Sequence, residues 1–172
     1  LYATIGSKVN VIVETGGTAK WNNNVIKSST NQRYQVTSKG LKLLSGNIGK
    51  KPMTDPATLQ SFISYCAKNY PANRYALIMW DHGGGSLSGY GYDQVFPNSG
   101  SMSISEMNSA LTGAGVSFDF IGFDACLMAT LETAYMLNYH ADYMIASEET
   151  EPGIGWYYTD WLTALSGNTS MD

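Results

Sequence analysis

The chain has 172 residues, of which 44% are hydrophobic, and this length is enough for one globular domain with its own core. No apolar run approaches the roughly 20 residues that span a bilayer, and the first residues, Leu1-Tyr2-Ala3, do not begin a signal peptide. The two cysteines, Cys66 and Cys126, lie 60 positions apart, which argues against a zinc motif and against a disulfide framework.

Charge is divided unevenly along the chain. The first 74 residues hold all ten Lys and Arg but only two acids, Glu14 and Asp55, for a formal charge of +8. Residues 75–172 hold twelve Asp and Glu and no basic residue, a formal −12. Two interpretations stay open: solvated faces of opposite sign, or an acidic half that attracts a cationic partner such as a basic peptide or Ca²⁺.

Both ends of the chain are abrupt. It starts with Leu1 rather than an initiator Met, and it stops after SGNTSMD. We therefore expect a fragment or a processed product in which residues 1–172 form a single domain. Further sequence is expected upstream and downstream, so any targeting segment would lie outside this chain.

The first part of the chain predicts two strands and a helix. VNVIVE at 9–14 and RYQV at 33–36 have strand composition and are separated by an Asn-rich connection. Asp55 followed by Pro56 predicts a helix start, and an apolar stripe at i, i+3, i+4 and i+7 follows: Leu59, Phe62, Ile63 and Cys66. Cys66 is accordingly interpreted as an inert core thiol.

The rest of the chain alternates strands with helices. RYALIMW at 74–80 predicts a strand that is apolar on both faces, and Ser103-Ile104-Ser105-Glu106 has the form of a capping box that opens a helix. FDFIGF at 118–123 and YMIAS at 143–147 predict further strands, and residues 158–165 a last helix. Another helix is predicted to begin at Cys126 with these side chains facing inward: Leu127, Leu131, Ala134 and Tyr135. The alternation implies βαβ units, an α/β class and a parallel sheet between helices.

Two reactive side chains follow predicted strands. WDHGGG at 80–85 places His82 after one strand, and Cys126 follows the next. Ligands gather beyond the carboxyl ends of parallel strands, so neighbouring strands would bring both side chains to one edge of the sheet. Ser147 and residues 148–155 would join them from a third strand.

This arrangement predicts nucleophilic catalysis by a thiol. A helix beginning at Cys126 would favour the thiolate through its dipole, and His82 would transfer protons to and from the thiol and the leaving amine. The N–H groups of Gly83 and Cys126 could form an oxyanion hole, and the glycines would let a substrate backbone approach.

Other interpretations compete with this one. HGGG also occurs in esterases, but they need a later G-x-S-x-G elbow that this chain lacks. Walker and G-x-G-x-x-G patterns are absent as well, so a phosphate-binding loop lacks its usual residues. His82 and Cys126 could also be an ordinary turn residue and a core residue. His140, beside Asp142, is predicted to lie on the surface at the end of a helix.

Three blocks in order resemble the clostripain-like cysteine peptidases, family C11 of the caspase-like clan: YALIMWDHGGG, FDFIGFDACLMATLETAY and ADYMIASEETEPGIGW. The resemblance implies a caspase-like three-layer α/β/α sandwich with a mostly parallel sheet, and peptide-bond hydrolysis by a Cys-His dyad without a metal. The family's histidine matches His82 and its nucleophile matches Cys126. A Tyr-Met-Ala-Gly-Asp-Asn-like segment upstream of the first strand is missing, so the sheet is expected to be incomplete at its N-terminal edge.

The resemblance also bears on substrate and metal. Asp124 matches one acid of the primary pocket in relatives that cleave after Arg or Lys, but Ile154 stands where a second acid is expected. A preference for Arg or Lys is therefore a hypothesis beside a non-basic preference, with the pocket lined by Asp124 and by the segment from Ser147 to Ile154. Some relatives depend on calcium, for which these glutamates could supply oxygen ligands, although without an EF-hand spacing: Glu148, Glu149 and Glu151.

The implied partners are a peptide or protein substrate and the remaining parts of the chain itself, with no nucleic acid and no membrane span in this segment. No cofactor is implied for the chemistry. The family implies an extracellular or cell-envelope protein of a bacterium. A caspase-like fold that binds without turnover is the alternative from another functional class.

Overall fold

The computed structural model describes residues 8–167, and contacts between residues divide them into two compact units. The first unit contains residues 8–16, 20–50 and 156–167. The second contains residues 17–19 and 51–155. None of the described helices is long and apolar enough to cross a membrane.

The first unit is built on an antiparallel sheet in the order β1-β2-β3. Its elements are β1 (Val11–Thr15), β2 (Gln32–Thr37), β3 (Gly40–Ser45) and α5 (Tyr158–Gly167). The strands predicted at 9–14 and 33–36 are thus confirmed, and a tight turn adds β3. In that turn Gly40 has a φ of +118°, and the Thr37 hydroxyl donates to the Gly40 carbonyl at 2.8 Å.

The second unit contains a parallel sheet in the order β4-β5-β6. Its strands are β4 (Ala76–Trp80), β5 (Phe118–Asp124) and β6 (Ala141–Ile145). Its helices are α1 (Pro56–Asn69), α2 (Gly85–Ser88), α3 (Ile104–Ala114) and α4 (Leu131–Leu137), with a 3-10 turn at Pro97–Ser99. Helix α3 connects β4 to β5 and α4 connects β5 to β6, which confirms the predicted α/β class and parallel sheet.

Apolar side chains on one face of the parallel sheet form the core of the second unit. The buried set combines this face with side chains of α1, α3 and α4: Leu77, Met79, Ile121, Phe123, Ile63, Met107, Leu111, Met136 and Leu137. Alternate residues on the opposite face are more exposed, with Trp80 at 57% and Tyr143 at 69%. The helices therefore pack on the face that carries the core.

Two helix starts agree with the sequence prediction. Pro56 is the first residue of α1, and the Asp55 carboxylate accepts the Ala57 N–H at 2.8 Å. Before α3, Ser103 Oγ accepts the Glu106 N–H at 3.2 Å, and Glu106 Oε2 accepts the Ser103 N–H at 2.8 Å. The predicted capping box is therefore present.

The helix start predicted at Cys126 is wrong. Helix α4 begins at Leu131 and is capped by Thr130, whose Oγ1 accepts the Thr133 N–H at 3.2 Å. Leu127 has a φ of +62°, a left-handed conformation that an α-helix of L-residues cannot continue. The chain after β5 therefore turns before the helix can start.

The later start also changes which side of α4 faces the core. Leu131 and Tyr135, which were predicted to face inward, are 83% and 70% exposed. The buried residues of α4 are Thr133, Met136 and Leu137. The predicted inward stripe is therefore wrong, because it was phased on a helix beginning at Cys126.

His140 is buried rather than on the surface, which corrects the prediction. Its Nε2 lies 2.7 Å from Asn108 Oδ1 of α3. Burial lowers the pKa of His140, because a charged imidazole would lose its water there. The His140 carbonyl accepts the Phe118 N–H at 2.8 Å, so pairing with β5 begins early and β6 starts at Ala141 rather than at Tyr143.

Candidate active site

The ends of β4 and β5 lie side by side. These strands are parallel neighbours, and Trp80 pairs with Asp124 at the end of the ladder. The Asp81 N–H donates to the Asp124 carbonyl at 3.3 Å, which extends the pairing by one residue. Because His82 and Cys126 each follow two residues after the last paired position, both lie at the same edge of the sheet, as the sequence predicts.

Each glycine of the triplet after His82 occupies a position where a side chain would clash or strain the backbone. A Cβ atom on Gly83 would overlap the Cys126 carbonyl oxygen. A Cβ on Gly84 would lie 2.5 Å from the Ser88 Cβ, and Gly85 has a φ of +67°, which residues with side chains rarely adopt. The loop after β4 therefore packs directly against the backbone of the turn after β5, in a contact that only glycine permits.

Two backbone N–H groups lie at this contact without an acceptor. Within residues 8–167, neither the Gly83 N–H nor the Cys126 N–H donates a hydrogen bond. Such groups are satisfied by solvent or by a bound acceptor. They are the two groups that the sequence assigns to an oxyanion hole.

Asp81 fixes the backbone around His82. Its Oδ1 accepts the His82 N–H at 2.7 Å and its Oδ2 accepts the Tyr92 N–H at 3.2 Å. The Gly91 N–H donates to the His82 carbonyl at 2.8 Å, and the Tyr92 ring stands edge-on to the exposed imidazole, with ring centroids 6.3 Å apart. Burial raises the pKa of the Asp81 carboxyl, and the two N–H donors offset part of that rise.

Asp93 holds the far end of the same loop. It is 1% exposed and accepts three backbone N–H groups at 2.8 Å, from Met53, Val95 and Phe96. The sequence analysis singled out neither Asp81 nor Asp93. The signal that could have found Asp93 is an Asp in a loop whose side chain can accept the N–H two residues on, as in an Asx turn.

Cys126 lies in the turn between β5 and α4 and is half-buried. Its Sγ accepts the Glu151 N–H at 3.2 Å and lies 3.9 Å from the Glu151 carbonyl oxygen. No helix begins at this cysteine, so the helix dipole expected from the sequence does not act on its sulfur. Among residues 8–167, the hydrogen-bonding partner of the thiol is instead a peptide of the loop that follows β6.

That loop runs antiparallel to the turn that carries Cys126. The Leu127 N–H donates to the Glu149 carbonyl and the Ala129 N–H donates to the Ser147 carbonyl, each at 3.0 Å. The structure therefore brings the segment after the third strand to the thiol, as the sequence predicts.

The three residues predicted to line the primary pocket have different surroundings. Asp124 is 3% exposed, and a Cβ on Gly155 would lie 2.6 Å from its Oδ2 and 2.7 Å from Trp80 Nε1. The Gly155 backbone thus covers the carboxylate. Ser147 is half-buried, whereas Ile154 is 90% exposed.

The three glutamates of this loop do not form a metal cluster among the described residues. Glu148 and Glu149 are exposed, and Glu151 directs its N–H at Cys126. The part of the chain that the structure describes contains no group of three or more His, Cys, Asp or Glu side chains that could hold a metal ion.

The sequence is similar to those of known proteins. The sequence model of the clostripain family, peptidase family C11, matches residues 4–171. Clostripain of Hathewaya histolytica is 35% identical in an alignment 140 residues long that covers 70% of this chain and 26% of clostripain.

Solved structures of C11 proteases are similar in fold. A secreted C11 cysteine protease from Bacteroides thetaiotaomicron, in complex with an irreversible peptide inhibitor, has a TM-score of 0.72 at 26% identity, over 91% of this chain and 43% of that one. An inactive zymogen C11 protease from Parabacteroides distasonis has a TM-score of 0.69 at 28% identity, over 91% and 42%. This chain therefore spans less than half the length of these relatives and has the predicted fold. With a family match over nearly its whole length, the chain belongs to the clostripain family of cysteine peptidases, C11.

Proposed function

We propose that this chain carries the catalytic centre of a cysteine endopeptidase, with Cys126 as nucleophile and His82 as general acid and base. The packing of Gly83 on the Cys126 carbonyl supports this most directly, because it joins the histidine loop to the turn of the cysteine. Membership of the C11 family supports the same reaction class.

In the proposed reaction, the Cys126 thiol gives its proton to His82, and the sulfur attacks the carbonyl carbon of the scissile bond. The carbon–nitrogen bond then breaks, His82 gives that proton to the leaving amine, and a thioester remains on the sulfur. Water attacks the thioester and gives a proton to His82, which returns it to the sulfur as the acid product leaves. These steps use groups of the chain and water, so the chemistry requires no cofactor.

The negative charge that develops on the carbonyl oxygen needs hydrogen-bond donors. The N–H groups of Gly83 and Cys126 are proposed for this role, since neither has an acceptor within residues 8–167. Removing one such donor costs other hydrolases about 100-fold or more in kcat. Preorganised backbone donors are favourable here because they do not have to reorient during the reaction.

For the primary pocket we propose Asp124 at its base and the segment from Ser147 to Ile154 as its wall. The Asp124 carboxylate and the acidic composition of this half favour Arg or Lys before the cleaved bond. Ile154 offers no second carboxylate, and the Gly155 backbone lies on the first, which favours the alternative of a non-basic preference. The proposed substrate class is therefore peptides or proteins.

The test is hydrolysis of a fluorogenic peptide library that varies the residue before the cleaved bond. It uses the full-length protein with reductant, with and without added calcium, and Cys126→Ala as the matched control that removes only the sulfur. We expect cleavage after Arg or Lys that is lost in the variant. Variant-sensitive cleavage after neutral residues would keep the mechanism and reject the basic pocket. Equal rates for both proteins on every peptide would reject the peptidase and leave a caspase-like fold used for binding.

We also propose that the protein acts outside the bacterial cell or at its envelope. This rests on a relative from Bacteroides thetaiotaomicron that is described as secreted. Fractionation of the source cells, followed by detection of the chain in medium and envelope, tests it.

A further inference from the structure

A cysteine nucleophile attacks as the thiolate, and the helix dipole predicted to favour this form is absent at Cys126. Within residues 8–167, the Glu151 peptide is the only hydrogen-bonding partner of Sγ, with its N–H at 3.2 Å and its carbonyl oxygen at 3.9 Å. The N–H contact is the shorter and stronger of the two, and it is the one that can stabilise a thiolate.

The position of this N–H is fixed by the ribbon around it. The Leu127 to Glu149 and Ala129 to Ser147 hydrogen bonds form two successive antiparallel rungs, and Glu151 lies one step further along the same segment. Pro152 follows Glu151 and restricts its backbone to extended conformations. The donor is therefore aimed at the sulfur by main-chain pairing rather than by a mobile side chain.

We propose that the backbone N–H of Glu151 is a catalytic group that holds the Cys126 sulfur as a thiolate before it attacks the substrate. This proposal rests on the proposed function, since it assigns a role in the same reaction. The thiol proton passes to His82, and the Glu151 N–H then donates to a full negative charge on sulfur. When the sulfur–carbon bond forms, the charge moves to the carbonyl oxygen and this hydrogen bond weakens. The donor therefore acts on the readiness of the nucleophile.

The same contact links the proposed pocket to the nucleophile. Glu151 belongs to the segment from Ser147 to Ile154, which is proposed as the wall of the primary pocket. A substrate side chain that displaces this segment would also move the donor away from Cys126 Sγ. Thiol reactivity and pocket occupancy are thus coupled through one peptide group.

The experiment replaces the Glu151 amide by an ester in the full-length protein, using the α-hydroxy acid analogue of glutamate, which deletes the N–H and keeps the side chain. The rate of Cys126 alkylation by iodoacetamide is then measured against pH. Because the ester loses a hydrogen bond to a charged group, the alkylation rate at pH 6 should fall about tenfold. The midpoint of the profile should move up by about one pH unit.

Two matched variants separate the N–H from other causes. Glu151→Ala keeps the N–H and removes a negative charge, so the midpoint of its alkylation profile should not move up. An ester at Ala57 makes the same chemical change outside the proposed site, at an N–H that donates to Asp55 Oδ1 at 2.8 Å, and its profile should match the wild type. An unchanged profile for the Glu151 ester, or an equal shift in either control, would overturn the proposal.

A measurement on the wild type covers the case in which the ester does not fold. The ¹⁵N–¹H resonance of Glu151 should move with pH at the midpoint of the alkylation profile. This movement should be absent in the Cys126→Ser variant, which has no thiol at this position. A Glu151 resonance with the same pH dependence in the wild type and in Cys126→Ser would overturn the proposal. Peptide cleavage is scored separately: if peptides are cleaved but alkylation does not depend on the donor, only this inference fails, whereas absence of cleavage rejects the proposed function itself.

Discussion

At the scale of single residues, Gly83 is the position where the smallest change should have the largest effect on activity. Gly83→Ala places a methyl group on the Cys126 carbonyl oxygen, so the loop of His82 must move away from the thiol. A displacement of about 1 Å can cost about 100-fold in rate, and we expect kcat/KM to fall at least that far. Steady-state hydrolysis of the preferred peptide measures it.

The control for this change is Gly167→Ala in α5, where, among residues 8–167, no heavy atom apart from its chain neighbours and its own helix backbone lies within 4 Å of the added Cβ. Alanine in a helix is favourable relative to glycine, so this variant should keep wild-type activity and stability. If Gly83→Ala cleaves the peptide at a rate close to that of Gly167→Ala, the close packing of the two loops is not required for catalysis.

Asp81 offers a second test at this scale, because its carboxylate accepts the N–H groups of His82 and Tyr92. Burial raises its pKa above the ordinary 3.8, so acidification protonates it sooner than an exposed Asp. A raised folded-state pKa means that protonation favours the folded state, so this group adds stability below its unfolded pKa and loses that contribution as pH rises. Protonation weakens the carboxylate as an acceptor of the His82 and Tyr92 N–H groups. Activity should therefore fall as the pH is lowered, whereas protonation of Asp81 should not unfold the protein.

Asp81→Asn removes this titration and keeps one oxygen acceptor. We expect a lower kcat and loss of the acid limb that Asp81 contributes, measured as kcat against pH, with thermal unfolding followed at the same pH values. An acid limb that is unchanged in Asp81→Asn would assign it to another group.

At the scale of elements, the sequence predicts correctly those helix starts that depend on residues close together in the chain. The starts of α1 and α3 follow from Asp55 with Pro56 and from the capping box of Ser103 and Glu106, and both are confirmed. β3 was missed because GLKLLS follows a turn without a strong hairpin signal, and its strand character comes from pairing with β2.

The turn after Cys126 could not be predicted, because its cause is not local. Leu127 holds an unfavourable left-handed conformation, and the hydrogen bonds that maintain it come from Glu149 and Ser147, about 20 residues further along. The apolar periodicity of residues 127–135 predicts a helix that already includes the turn, although in the structure only LETAYML at 131–137 is helical. The signal for the true start was Thr130, because a Thr just before a helical run can cap its first turn.

The first unit contains a buried ion pair that provides a prediction about stability. Glu14 on β1 and Arg33 on β2 are directly opposite, with Oε2 and Nε 2.6 Å apart and side chains 3% and 9% exposed. Glu14→Ala leaves a buried guanidinium without this partner, which should destabilise the fold by about 3 kcal/mol. Urea unfolding followed by circular dichroism measures it.

The double variant Glu14→Leu with Arg33→Met is the matched control. It removes both charges and fills their space with apolar groups, so it should recover most of the lost stability. A double variant as unstable as Glu14→Ala would show that the loss comes from packing rather than from breaking this ion pair.

At the scale of the whole molecule, sequence and structure agree on where the acidic residues lie. The second unit, which contains His82 and Cys126, has eleven Asp and Glu against three Lys and Arg, a formal −8. The sequence left two interpretations of this charge open, solvated faces or attraction of a cationic partner. The two interpretations differ in the association rate that they predict, because only long-range attraction would speed the binding of a cationic substrate.

Salt separates the two interpretations. The screening length falls from about 10 Å at 0.1 M salt to about 3 Å at 1 M, so steering of a cationic peptide should weaken while a contact at short range persists. We expect kcat/KM for a peptide rich in Lys and Arg outside the cleaved bond to fall about tenfold over this range, and that of a neutral peptide with the same cleaved bond to stay constant. Equal behaviour of the two peptides would assign the charge to solvation alone.

The same titration isolates the contribution of Asp124. Its carboxylate is 3% exposed, and buried charges are screened far less than exposed ones. Any preference for Arg over a neutral residue that remains at 1 M salt should therefore come from the pocket, and Asp124→Asn should remove it without changing the salt dependence of the flanking charges. A preference that disappears with salt in the wild type would mean that Asp124, covered by the Gly155 backbone, does not reach the substrate, and that selectivity arises from the acidic surface of the second unit.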